Sequence, residues 1–181
     1  MRRIFLIGYM GAGKTTLGAP LAEALNLSFI DLDKFIEQRY HKTVNELFDK
    51  YGESAFREIE RKVLHEVATF EDVIISTGGG TPCFYDNMKF MQERGLTIYL
   101  EVETAILFQR LKLGKHKRPK LKNKTDEELL EVIENGLVLR LKHYLQSDIH
   151  FKADTLHSVA EIAQTTAELV KHIRQKKADS I

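Results

Sequence analysis

The segment Gly8-Tyr9-Met10-Gly11-Ala12-Gly13-Lys14-Thr15 has the residue types and spacing of a loop that holds a polyphosphate. It matches G-x-x-x-x-G-K-[ST], with Gly11 as an additional glycine. Glycines let the backbone turn so that successive N–H groups point inward at phosphate oxygens. A helix opening at Lys14 would present its orphan N–H donors and the positive end of its dipole to the same anion. Lys14 brings a full charge toward the β- and γ-phosphates, and Thr15 offers a hydroxyl to Mg²⁺. An apolar run precedes the loop and an amphipathic pattern follows it, which is the context the motif needs. The competing explanation is a glycine-rich turn with no ligand.

A triphosphate loop alone does not separate a kinase from a GTPase or a motor, so the acceptor must be read elsewhere. Asp31 and Asp33 fall at the end of the second apolar run. At the carboxyl end of that strand, period-two alternation points both to one side, and both are expected to face the phosphate loop. One would then hold Mg²⁺, directly or through water, and the other would accept a hydrogen bond from a substrate hydroxyl. Either could instead cap a helix. Thr77-Gly78-Gly79-Gly80 follows the third run and would let a small polar substrate approach the backbone closely, unless it is a plain tight turn. Arg57 and Arg140 are candidates for bidentate recognition of a carboxylate. Arg118, before Pro119 in a basic stretch, is a candidate for a mobile cation closing over a transferring phosphoryl group. The single cysteine, Cys83, follows the glycine triplet closely and is read as an ordinary thiol near the acceptor site. The histidines show no metal-ligand spacing.

These residues need a scaffold, and the apolar pattern supplies one. Strands are predicted over 3–8, 28–31, 73–77, 97–101 and 150–153, near-continuous apolar runs of the kind covered on both sides. Helices are predicted over 14–25, 33–40, 43–51, 54–70, 86–94, 104–113, 126–145 and 158–176. Strands alternating with helices imply a parallel sheet with helices on its faces. Residues 33–60 read as a helical insert, and 112–124, basic and poor in apolar periodicity, as a flap. Pro20 removes a bond to Thr16 and is expected to bend the first helix.

The bulk composition narrows the class. The chain has 181 residues, is 43% hydrophobic and 29% charged, and carries a net charge of +1. That suits one α/β domain with a sizeable core and gives no global field toward nucleic acid or a membrane surface. No apolar stretch approaches a membrane span. The lone cysteine fits a reducing compartment, so a cytoplasmic monomer is expected.

Taken in order, the motifs resemble those of shikimate kinases. The resemblance spans nearly the whole chain and is carried by residues 8–16, 31–33 and 56–60, by Gly78-Gly79-Gly80, by Arg118-Pro119, and by 140–144. It implies a three-layer α/β fold of the P-loop nucleoside-monophosphate-kinase kind, with a five-stranded parallel sheet. It implies one kinase domain over 1–181: a core of 1–32, 61–111 and 125–176, a substrate-binding insert of 33–60 and a lid of 112–124. It implies transfer of a phosphoryl group from ATP, with Mg²⁺, to the 3-hydroxyl of shikimate, a step of aromatic amino-acid biosynthesis. In that family, residues matching Gly11, Ala12, Gly13, Lys14, Thr15 and Thr16 hold the nucleotide, and the residue matching Arg110 lies against the adenine. Those matching Asp33, Arg57, Gly78, Gly79, Gly80 and Arg140 hold shikimate, Asp31 and Thr15 serve the metal, and Arg118 is the lid arginine. Lys14, Asp33 and Arg118 are thereby the expected catalytic residues. The sequence departs from the family pattern at Ala19, usually near a basic residue, at His143 in place of a proline, and at 157–159, where an arginine is missing. Another small-metabolite kinase, such as a gluconate kinase, and a nucleotide-dependent regulatory module are the alternatives.

Overall fold

The computed structural model describes residues 2–114 and 121–178. The strands β1 (Arg3–Ile7), β2 (Ser28–Asp31), β3 (Val73–Ser76), β4 (Leu96–Glu101) and β5 (Ile149–Lys152) form one sheet in the order β2-β3-β1-β4-β5, every pairing parallel. Ile4, Phe5, Leu6 and Ile7 are buried, as are Val73, Ile74 and Ile75, because both faces of these central strands are covered. The covering helices are α1 (Lys14–Leu25), α2 (Leu32–Tyr40), α3 (Val44–Val67), α4 (Asn87–Arg94), α5 (Thr104–Leu113), α6 (Asp126–Tyr144) and α7 (Val159–Ala178). The chain leaves β1 toward β2 on one side and leaves the adjacent β3 toward β4 on the other, so a crevice opens beyond the carboxyl ends of these two strands.

The helix boundaries follow local chemistry. Thr43 and Glu46 form a reciprocal capping box at the start of α3, and Thr125 with Glu128 form another at α6. The two helices expected over 43–51 and 54–70 are the two arms of α3, which meet at a kink at Gly52, where φ is 78° and the backbone is not helical. The sequence break was real; the chain resumes the helix immediately beyond it. α1 runs across Pro20 as one helix.

One expectation is corrected by the fold. The strand ends at Asp31, and Asp33 lies in the first turn of α2. Period-two alternation therefore does not relate the two carboxylates. Both line the same cleft because a helix starts directly at the strand end. The short 3-10 turn Thr81–Cys83 after the glycine triplet was also not anticipated.

Candidate active site

The carboxyl ends of β1, β2 and β3 bound a cleft of about 630 Å³, lined by the phosphate loop, by Asp31, Asp33, Ser76, Thr77 and Gly79, and by Arg110, Leu113, Leu156 and His157. Gly11 and Gly13 have φ of 83° and 95°, the left-handed region that the loop needs to turn its amides inward. At Gly13 a β-carbon would stand 2.3 Å from Leu156 Cδ1, so a larger residue would also have to displace that side chain. Gly13 is also the N-cap of α1 and has no side-chain cap. The first-turn amides thus remain suited to an external anion.

Lys14 is buried to 9% exposure, and its ammonium donates to the carbonyls of Gly8 (2.7 Å) and Tyr9 (3.0 Å). The loop curls around its own lysine and so holds the charge in place. Thr15 Oγ1 donates to Asp31 Oδ2 at 2.7 Å. The other Asp31 oxygen accepts from the Lys34 amide at 3.2 Å and caps α2. The two roles considered for Asp31 are therefore compatible: one oxygen starts the helix and the other faces the phosphate loop. This hydroxyl–carboxylate pair consists of hard oxygen donors at the phosphate-facing end of α1, the chemistry that suits Mg²⁺. Among the described residues no cluster of three or more His, Cys, Asp or Glu forms an all-protein metal cage. An ion held by few protein oxygens together with substrate phosphates fits that pattern.

Asp33 is half-buried, and its carboxyl is pushed up to about 6. Burial is the main cause, the Glu60 and Asp31 carboxylates add to it, and Lys14 opposes it. A carboxylate with a raised pKa beside a buried lysine is suited to take a hydroxyl proton.

The glycine triplet gathers the remaining groups. A β-carbon at Gly78 would lie 3.0 Å from Asp33 Oδ1 and 2.9 Å from Glu60 Oε1. At Gly79 it would lie 3.6 Å from Arg140 Nη1, and at Gly80 only 2.7 Å from Arg57 Nη2. Each glycine thus lets charged side chains come up to the backbone, two at Gly78 and one each at Gly79 and Gly80. Gly79 lines the main cleft, whereas Arg57, Gly78, Gly80 and Arg140 stand outside its wall, around the triplet.

The two arginines differ in what holds them. Arg57 donates to Glu60 (2.8 Å) and Glu53 (3.2 Å), and its guanidinium lies 4.1 Å from the centre of the Phe84 ring. Its buried Nε has no partner among the described residues. Arg140 lies 5.0 Å above the Tyr9 ring, and no carboxylate pairs with it among the described residues. Arg140 therefore keeps its charge available to an anionic ligand.

Two residues inside the recognised motifs had been given no role. Glu60, at 1% exposure, binds both Arg57 and Thr81 Oγ1 (2.6 Å), so it fixes the arginine. Its spacing of three from Arg57 on a helix was the visible signal. Tyr144 is fully buried and donates to the Gly79 carbonyl at 2.5 Å. Arg110 lines the cleft and donates to the carbonyls of Gly11 (3.3 Å), Ala153 (3.0 Å) and Asp154 (2.7 Å). In place of the missing arginine at 157–159, Leu156 and His157 line the same cleft. Burial pushes the Cys83 thiol up, away from the reactive thiolate. Arg118 and Pro119 lie outside the described residues.

Residues 10–171 match the sequence profile of the family described as shikimate kinase. A shikimate kinase of Phocaeicola vulgatus is 55% identical over 175 residues, covering 97% of this chain and all of that one. The crystal structure of shikimate kinase from Bacteroides thetaiotaomicron superposes with a TM-score of 0.93 at 52% identity, covering 96% of this chain and 98% of that one. The shikimate kinase from Acinetobacter baumannii, solved in complex with shikimate, gives a TM-score of 0.84 at 30% identity over 98% of this chain and 95% of that one. With this cleft, these strand ends and this extent of similarity, the chain belongs to the shikimate kinase family.

Proposed function

We propose that this cleft transfers the terminal phosphoryl group of ATP to the 3-hydroxyl of shikimate, with the residues acting as follows. The phosphate-loop amides and Lys14 hold the triphosphate and stabilise charge on the transferring group. Thr15 and Asp31 would hold Mg²⁺, which neutralises phosphate charge when bound. Asp33 orients the attacking hydroxyl and accepts its proton. Arg140 takes the acceptor's carboxylate; Arg57, braced by Glu60, and the triplet backbone position its hydroxyls and ring. Arg110 lies against the adenine, and Arg118, in a lid of 112–124, closes over the phosphates. Residues 33–60 form the acceptor-binding insert on a core of 1–32, 61–111 and 125–176. A cytoplasmic, monomeric enzyme completes the reading, since a free Cys83 thiol suits a reducing compartment. Among the described residues no helix is long and apolar enough to cross a membrane.

The observation that carries the reading is the pairing across Gly79. Its β-carbon position is 3.3 Å from the Met10 amide in the phosphate loop and 3.6 Å from Arg140. An acceptor anchored by its carboxylate at Arg140 would thereby reach Asp33 and the γ-phosphate together. Coupled ATP turnover measured with and without shikimate tests it. Turnover should require shikimate, and gluconate should not substitute. ATP consumption independent of any acceptor would overturn the assignment.

A further inference from the structure

Val132, Gly136, Arg140 and Tyr144 are spaced four apart on α6 and share one face. That face meets both halves of the site. Tyr9, inside the phosphate loop, donates its hydroxyl to the Val132 carbonyl at 3.1 Å. Its ring lies against Gly136, where a β-carbon would stand 2.4 Å from the Tyr9 oxygen and 2.8 Å from Cε2. The same ring lies 5.0 Å from the Arg140 guanidinium. One turn further, the Tyr144 hydroxyl bonds the Gly79 carbonyl at 2.5 Å and stands beside Arg140. The Tyr144 ring is fixed in turn by Tyr99, with centroids 5.1 Å apart.

Arginine has many rotamers, and freezing them on binding weakens a ligand's grip. Arg57 avoids this with two carboxylate partners. Arg140 has none among the described residues, and a carboxylate there would compete with the substrate's own. Aromatic and hydroxyl groups hold a guanidinium without neutralising it. We infer that Tyr9 and Tyr144 are positioning residues that hold Arg140 ready for the acceptor's carboxylate while leaving its charge unspent. The inference rests on the reading of Arg140 as the carboxylate ligand. It also places an acceptor-specificity element inside the phosphate loop, at a motif position that tolerates any residue.

The test is steady-state kinetics on Tyr9→Leu, Tyr9→Phe and Tyr144→Phe, with folding checked by circular dichroism and thermal midpoint. Tyr9→Leu removes the ring and should raise the KM for shikimate about 5- to 20-fold, with the KM for ATP changed less than about twofold. Tyr9→Phe keeps the ring over the guanidinium and should restore the shikimate KM to within about threefold of wild type. Tyr144→Phe keeps the packing but loses the hydroxyl, and should raise the shikimate KM about 3- to 10-fold. In an Arg140→Ala background, Tyr9→Leu should add nothing further, because its effect passes through that side chain. Equal rises in both KM values, a Tyr9→Phe variant as impaired as Tyr9→Leu, or full additivity with Arg140→Ala would overturn the inference. An Arg140→Ala variant with an unchanged shikimate KM would instead overturn the underlying assignment of Arg140.

Discussion

Burial, with the carboxylates of Glu60 and Asp31 close by, raises the Asp33 carboxyl to about 6. In the unfolded chain the group would titrate near 3.9. The folded state therefore favours the proton. That favourable contribution is complete below the unfolded value and is lost as pH rises through about 6. At neutral pH the ionised carboxylate opposes folding by roughly 1–3 kcal/mol, at 1.36 kcal/mol per pH unit. Asp33→Asn should raise the stability of the ligand-free protein in chelator by that order at pH 7.5, and by much less near pH 4.5. The same substitution should collapse kcat, because the amide cannot accept the hydroxyl proton. In the wild-type enzyme, kcat/KM for shikimate should fall as pH drops below about 6. A destabilised Asp33→Asn protein with normal turnover would contradict both halves of this account. Lys14 differs, because its charge is satisfied by the loop carbonyls of Gly8 and Tyr9. Lys14→Ala should abolish turnover in a coupled assay while circular dichroism reports an intact fold. Wild-type-like turnover would remove the phosphate loop from the chemistry.

Between elements, the glycine triplet works through what it leaves out. The β-carbon of an alanine at 80 would press on the Arg57 guanidinium, which Glu60 and Phe84 already confine. Gly80→Ala should therefore raise the KM for shikimate about tenfold, equivalent to roughly 1.4 kcal/mol, with little effect on the KM for ATP. At Gly52 a β-carbon meets open space, so alanine there should cost only the strain of its positive φ and leave both KM values alone. Kinetics on the two variants side by side separates packing against the site from backbone strain. The contrast also marks how much could be read from the sequence. The phosphate loop was legible because its eight residues are consecutive and its glycines act through local backbone geometry. The kink at 52 and the triplet were legible for the same reason. The cluster around the glycine triplet was legible only as separate motifs, since the contact of Glu60 with Thr81 and of Tyr144 with Gly79 depends on how α3 and α6 pack against the turn after β3. The strand over 28–31 and the helix beyond it were legible, but the alternation argument for Asp31 and Asp33 failed because it was carried past the strand end into the helix.

At the scale of the molecule, the sheet order places the phosphate loop after β1 beside the triplet after β3, with Asp31 at the end of β2. Helices α2, α3 and α6 then bring Asp33, Arg57 and Arg140 to that edge from distant parts of the chain. A ligand spanning these groups ties elements together that the core alone joins, and it binds only the folded state. Saturation should therefore appear as stability. At a hundred times its Kd, shikimate should add about 2.7 kcal/mol, a rise in Tm of about 5–10 °C for a chain of this length. The two halves of the cleft should respond separately. Arg140→Ala should remove most of the shikimate-induced shift but keep the shift given by ATP with Mg²⁺. Lys14→Ala should show the reverse, because its loss is confined to the phosphate side. Thermal denaturation of the three proteins, each alone and with either ligand, reads the whole pattern in one experiment. If Arg140→Ala kept the full shikimate shift, or Lys14→Ala lost it, the division of the cleft into a phosphate side and an acceptor side would have to be abandoned.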